Sequence, residues 1–352
     1  MKKLIFFLSM ALAVTAAQPK KKIVVVGFPE EIVRQLRGVT SGAEIVSVLP
    51  LKSPGVTAVS PASPRTPEER QELLRQVADA DGFIGAPTRE VIQAARQLKW
   101  VQIPSAGVEN YRYPELLESS IVVTNFQKVA SPAIADHGMG MLLALTRRLN
   151  YFIAARTEER WVRQPYNLIE LQGMTAVVIG VGGIGSHVAV RAWASGMKVI
   201  GVDPRDINPS PYLQKVVYPD RLNTVLGEAD VVFLCAPLTP DTENMLGPPQ
   251  FARMKKGSYF IALSRGRLYS LDALVEALRS GHLAGAGLDV ANPEPLPKGH
   301  PLWKFENVII TPHIATQSQH ELTRQIEVMK ENITRFVNGE PLIYVVDKRK
   351  GY

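Results

Sequence analysis

At 352 residues the chain is long enough for about two domains. Hydrophobic residues make up 46% of it and charged residues 21%, the balance of a folded globular protein, which excludes a disordered chain. The net charge of +7 is modest, and no basic run is interleaved with aromatics, so nucleic-acid binding is not expected. The single cysteine, Cys235, rules out an intramolecular disulfide and a cysteine metal site. It ends an apolar run from Val231 and reads as a small core residue.

In chain order, Met1-Lys2-Lys3 precedes the apolar stretch 4–14 and then Thr15-Ala16-Ala17-Gln18. That is the order of a secretory signal peptide, with residues 1–17 removed by a cut after Ala17. The stretch is too short for a membrane span, and no other stretch reads as one. Export, to a periplasm or outside the cell, is one expectation. A start at Met10 would remove most of the apolar stretch and leave the protein in the cytoplasm.

From Lys22 onward, β-branched runs alternate with amphipathic stretches. Residues 23–27 and 44–49 read as strands around a helix over 30–37. Residues 53–67, rich in Pro and Ser, read as a loop. Thr66 then caps a helix through about Asp79, with Pro67 at its first position and Glu68 and Glu69 in its first turn. Strands follow at 82–86, 100–103 and 121–124. Residues 131–150 read as one long helix ending at Arg147-Arg148, apolar nearly all round and therefore buried, against a second subunit or the core. Further strands are expected near 175–180, 197–202, 231–235, 258–263, 285–290 and 308–311, with a last helix over 319–338. Strands alternating with helices imply parallel, doubly wound α/β sheets.

The segment Thr175-Ala176-Val177-Val178-Ile179-Gly180-Val181-Gly182-Gly183-Ile184-Gly185 is a buried strand running into G-x-G-x-x-G. Gly180 makes the tight turn, Gly182 lets backbone approach a pyrophosphate, and Gly185 lets helix and strand pack closely. By itself the pattern is common. Its place between a strand and a helix strengthens it, as does Asp203, eighteen residues after Gly185 at the end of the next strand. A carboxylate there accepts ribose hydroxyls and repels a 2′-phosphate, which favours NAD over NADP. Arg205 works the other way, because a guanidinium beside the site suits that phosphate.

Hydride transfer to a 2-keto acid needs a cation for the carboxylate and carbonyl, an acid for the new alkoxide, and a group that tunes the acid. Arginine suits the first task through its planar fork. Histidine suits the second, and a neighbouring carboxylate favours its protonated form. Arg265, Glu294 and His313 each follow an expected strand on the same side of the sheet, where ligands of such folds bind. Spacing alone leaves open a surface ion pair for Arg265, a turn residue for Glu294 and a satisfied polar histidine for His313. The other histidines lack that strand-end position: His137 lies within the long apolar helix and reads as structural, and His187 follows the glycine loop.

The glycine loop with Asp203, Ala236-Pro237-Leu238-Thr239-Pro240-Asp241-Thr242, Ser264-Arg265-Gly266, Gly285-Ala286-Gly287-Leu288-Asp289-Val290, Pro293-Glu294-Pro295 and Thr311-Pro312-His313-Ile314-Ala315 occur in one order. Together they resemble the D-isomer-specific 2-hydroxyacid dehydrogenase family, over nearly all of residues 23–344. The resemblance implies two Rossmann-like or flavodoxin-like doubly wound domains with the active site in the cleft between them. Residues 22–128 with 314–345 would form the substrate domain, and 129–313 the inserted NAD domain.

It also implies roles. Arg265 would bind substrate, and His313 would be the acid/base paired with Glu294. Gly180, Gly182, Gly183, Ile184, Gly185, Asp203, Ala236, Pro237, Thr242, Leu263, Ser264 and Asp289 would line the cofactor, with Asp289 on the nicotinamide side. Ser105-Ala106-Gly107 resembles the loop whose amides receive the substrate carboxylate. The partners implied are a small 2-keto or 2-hydroxy acid and a second copy of the chain, joined through the helix at 131–150.

The chain departs from the family pattern at Ala262, where Asn is frequent, at Tyr269-Ser270 in place of Val-Asp, at Thr316 in place of Gly, and at Glu109 in place of Asp. These changes spare Arg265, Glu294 and His313 and bear on substrate choice. Two other readings stand beside the dehydrogenase. One is an NAD-binding regulatory or scaffold protein, since the family includes the C-terminal binding protein corepressors. The other is a phosphite- or formate-type dehydrogenase on the same fold.

Overall fold

Runs such as Lys-Lys-Ile-Val-Val-Val and Thr-Ala-Val-Val-Ile are β-branched and apolar on both faces, as strands of parallel sheets covered on both sides must be. In the computed structural model the described residues are 19–49, 66–163, 167–208 and 210–352. The signal-like segment 1–17 and most of the loop at 53–67 lie outside them.

Two parallel sheets form. The first takes β1 (Lys21–Val26), β2 (Ala43–Val48), β3 (Gly82–Ile84), β4 (Trp100–Gln102) and β5 (Val122–Thr124) in the order β2-β1-β3-β4-β5. Between them run α1 (Glu30–Arg37), α2 (Pro67–Val77), α3 (Arg89–Ala94) and α4 (Pro114–Leu117). The connection to the second sheet is α5 (Ser131–Thr146) and α6 (Leu149–Thr157).

The second sheet takes β6 (Thr175–Ile179), β7 (Lys198–Val202), β8 (Lys215–Val217), β9 (Val231–Leu234), β10 (Ser258–Ala262), β11 (Leu283–Leu288) and β12 (Val308–Ile310). Their order is β12-β11-β10-β9-β6-β7-β8. Its helices are α7 (Gly183–Ala194), α8 (Leu222–Leu226), α9 (Pro248–Arg253) and α10 (Leu271–Arg279). The order reverses between β6 and β9, which opens a crevice at their carboxyl ends.

Alternate residues of each strand enter different cores. Val177 and Ile179 of β6 join Phe260 and Leu274, while Ala176 and Val178 join Leu142 of α5 and Val188 of α7. The final helix, α11 (Glu321–Asn338), returns to the first sheet, where Ile326, Met329 and Ile333 share a cluster with Ile23, Val25 and Trp100. Its buried Asn332 donates to Gln102 at 3.1 Å and to the Ile343 carbonyl at 3.2 Å, and accepts from the Ile343 amide. Val345 then bridges Thr124 of β5. Both ends of the described chain therefore meet on the five-stranded sheet.

Where sequence and structure differ, the reasons are local. The single helix expected over 131–150 is two helices, because Arg148 takes a left-handed conformation (φ 52°) that no glycine or proline announces. The helix is also less buried than its composition implies, with Leu143 on its outer side exposed. α7 begins at Gly183, so His187 lies one turn inside it. Thr66 caps α2 as expected, accepting the Glu69 amide at 3.2 Å. Ser270, which replaces an acidic residue of the family pattern, does the same for α10 through the Ala273 amide.

Candidate active site

The glycine loop leaves β6 at the crevice. Gly180 has φ +87°, and a Cβ there would lie 2.6 Å from the Ala236 Cα at the end of β9. A Cβ on Gly185 would lie 1.9 Å from the Gly180 carbonyl oxygen, so helix and strand touch only because both positions are bare. The outer side of Gly182 is open, with Arg205 Nη2 its nearest neighbour at 3.9 Å. Gly182 caps α7 without a side chain, leaving the first-turn amides of the helix aimed outward. This cradle fits the pyrophosphate of a dinucleotide. Gly183 backs onto Ser131 and Lys128 at the start of α5, and partly buried Ile184 packs on the cluster that holds Ile134, Ala135 and Val188.

Asp203, 3% exposed, ends β7 beside this loop. Its Oδ2 accepts the Val181 amide at 2.8 Å and Arg205 Nη2 at 3.0 Å, and its Oδ1 accepts Arg205 Nε at 2.9 Å. Burial pushes the carboxyl up, but the Arg205 guanidinium and the Arg205 and Val181 amides outweigh it and hold the group below its usual range. The expected ribose acceptor is therefore ionised and already chelated by a guanidinium. Ala236 and Leu263 are buried, and Ser264 donates to the Leu234 carbonyl at 3.3 Å. Thr242 closes the loop from Pro237 by donating to its carbonyl at 2.7 Å.

The chemical groups collect at the ends of the next strands. His313 Nδ1 lies 2.8 Å from Glu294 Oε2, and Glu294 Oε1 accepts the Ala291 amide at 3.0 Å. Both side chains are about two-fifths exposed, open to a ligand. Arg265 reaches across to the five-stranded sheet, its Nε 2.6 Å from Glu109 Oε1, while its Nη1 donates to the Ser264 carbonyl. Its Nη2 lies where a Cβ on Gly107 would stand, which places the guanidinium against the Ser105-Ala106-Gly107 loop. That loop is tied down by Ser105 Oγ donating to the Gly107 carbonyl and Asn125 donating to the Ala106 carbonyl.

Glu109 is the residue that sequence reasoning noticed only as a departure. Burial pushes its carboxyl up, yet the charge and hydrogen bond of Arg265, with help from His313, hold it below its usual range. Nothing in its local sequence shows that the arginine comes from a strand 156 residues away. Asp289, expected on the cofactor side, is 2% exposed and turned inward. It accepts the Thr311 hydroxyl at 2.6 Å and the amides of Ile314 and Ala315. Cys235 is buried, which pushes its thiol well up and leaves it unreactive.

Comparison with known proteins identifies the family. A profile described as "D-isomer specific 2-hydroxyacid dehydrogenase, NAD binding domain" matches residues 139–315. A glyoxylate reductase of Thermofilum pendens is 34% identical over 293 residues, covering 80% of this chain and 86% of that protein. A D-3-phosphoglycerate dehydrogenase of Methanocaldococcus jannaschii is 35% identical over 278 residues, 77% of this chain but only 52% of that protein. Among solved structures, an NADPH-dependent glyoxylate/hydroxypyruvate reductase of Sinorhizobium meliloti in complex with NADP and sulfate superposes with a TM-score of 0.76 at 26% identity, covering 95% of this chain and 100% of that one. The chain belongs to the D-isomer-specific 2-hydroxyacid dehydrogenase family and is an oxidoreductase of the CH–OH group built around a nicotinamide-dinucleotide domain.

Proposed function

We propose that the protein reduces a small 2-keto acid to the D-2-hydroxy acid, and runs the reverse reaction, with NADH as the preferred cofactor. The observation that carries this reading is the His313–Glu294 pair at 2.8 Å on the same edge as Arg265. A nicotinamide dinucleotide held on the glycine loop would supply or accept the hydride. Arg265 holds the carboxylate and polarises the carbonyl, with the Ser105-Ala106-Gly107 loop beside it. Glu294 is an acceptor toward Nδ1, so that nitrogen carries a hydrogen and Nε2 is left to give the proton to the new alkoxide or take it back. Gly180, Gly182 and Gly185 would hold the pyrophosphate, and Asp203 would face the adenosine ribose.

NADH is preferred on this reading because the ionised Asp203 repels a 2′-phosphate and holds the Arg205 guanidinium. A panel of glyoxylate, hydroxypyruvate, pyruvate, D-hydroxy acids, formate and phosphite with both cofactors tests the proposal. NADH oxidation with a 2-keto acid is expected, and Arg265→Ala should lower kcat/KM by about a hundredfold or more. An unaltered Arg265→Ala enzyme would remove the mechanism. Measurable NADH binding without turnover on any member of the panel would favour a regulatory role.

A further inference from the structure

His137 lies in α5, within an apolar run, and nothing in its sequence position suggests chemistry. In three dimensions its Nε2 stands 2.9 Å from Thr311 Oγ1, which donates to Asp289 Oδ1 at 2.6 Å. Asp289 holds the turn that carries His313. Its carboxylate accepts the amides of Ile314 at 3.0 Å and Ala315 at 3.1 Å, and its carbonyl accepts the His313 amide at 2.9 Å. His313 itself has φ 54°, a left-handed conformation that costs an ordinary residue about 1 kcal/mol and persists only where neighbours impose it. The acid/base residue thus sits in an unfavoured backbone conformation within a turn that Asp289 ties through both its carboxylate and its carbonyl.

The donors along this chain fix the direction of its protons. Asp289 receives two backbone amides, so its side-chain oxygens act as acceptors. Thr311 has one hydroxyl hydrogen and gives it to Asp289, so its oxygen can only accept from the imidazole. His137 must therefore carry its hydrogen on Nε2. We infer that His137 is a positioning residue for the proposed hydride-transfer reaction, acting through Thr311 and Asp289 to hold the His313 turn. This rests on the 2-keto-acid reading above. A plain packing role for His137 would need only its shape, whereas this role needs its Nε2 hydrogen and the Thr311 hydroxyl.

The two roles separate in a substitution series on the full chain, assayed with NADH and the fastest 2-keto acid of the panel. His137→Leu and Thr311→Val should lower kcat about tenfold or more while KM for the keto acid moves less than about threefold. His137→Gln puts an amide nitrogen near the place of Nε2, and Thr311→Ser keeps the hydroxyl. Both should stay within about threefold of the wild-type kcat. Apart from activity, long-range proton–nitrogen spectra of the ligand-free protein at about pH 8 should show the His137 hydrogen on Nε2, its signals identified by their loss in His137→Gln.

A hydrogen on Nδ1 alone would overturn the inference, as would a Thr311→Val enzyme with wild-type kcat, or equal losses in the Ser and Val variants. Should His137→Leu fail to fold, shown by lost NADH binding, the nearly isosteric Thr311 pair decides. A wild-type protein that reduces no 2-keto acid overturns the functional reading and the catalytic part of this one together. Active variants beside an active wild type overturn this one alone.

Discussion

On the proposed reading Asp203 and Arg205 would pull cofactor choice in opposite directions, and the structure ties them to each other. The carboxylate is buried and bound by the guanidinium at 2.9 and 3.0 Å, so Nε and Nη2 of the arginine are committed to the aspartate while it is present. Asp203→Ser removes the repulsion and releases Arg205 together. We expect the ratio of kcat/KM for NADPH over NADH to rise about tenfold or more, near 1.4 kcal/mol of altered discrimination. Steady-state kinetics with the two cofactors check this, and an unmoved ratio would show that Asp203 does not govern selection. At this scale the sequence was informative for residues whose role is local. Gly180, Gly185 and Asp203 are legible because turn, close packing and strand end are properties of one βαβ unit. Glu109, Thr311 and His137 were not, since each gains its meaning from a partner more than twenty residues away.

Helix α11 shows the same division within one element. Its amphipathic pattern made it readable over 319–338, two residues longer than the observed Glu321–Asn338. The pattern says nothing of Glu321, whose Oε2 is buried without a hydrogen-bond partner and whose Oε1 accepts from Gln325. A carboxylate in the first turn ordinarily gains from the helix dipole, but here burial wins and pushes its pKa up to about 7.

The unfolded chain ionises this group near its ordinary value of 4.5. Below that pH both states hold the proton and no penalty exists. Between 4.5 and about 7 the unfolded state releases it first, so stability falls as pH rises and stays low above 7. Glu321→Gln should therefore melt several degrees higher than wild type at about pH 8 and equally at about pH 4. A difference independent of pH would refute the role assigned to this carboxyl. The three-residue β8 and the four-residue α4 escaped sequence reading, whereas β3, β4, β5 and β12, equally short, were legible from their apolar, β-branched runs.

For the whole molecule, the connection between the two sheets is the feature that points outward. Leu143, Leu149, Ile153 and Trp161 on and after α5 and α6 are exposed, Ile153 by 61% and Trp161 by 95%. Such a concentration of large apolar groups suits a protein interface. We propose that it joins two copies of the chain through residues 131–150 and the following helix. Light scattering should give the mass of two chains, and Ile153→Glu should give that of one; a wild-type monomer at micromolar concentration would refute the pairing.

By itself the amino-acid order determined eleven of the twelve strands among the described residues, the two α/β units, the glycine loop with its acidic partner, and the family to which they belong. These follow from side-chain volume, β-branching and backbone freedom acting over a few residues. Tertiary structure alone decided that Arg265 meets Glu109 across two sheets, and that His137 reaches the His313 turn through Thr311 and Asp289. Hydrogen bonds and ion pairs act over about 3 Å, and only the packing of distant elements brings such groups within that reach.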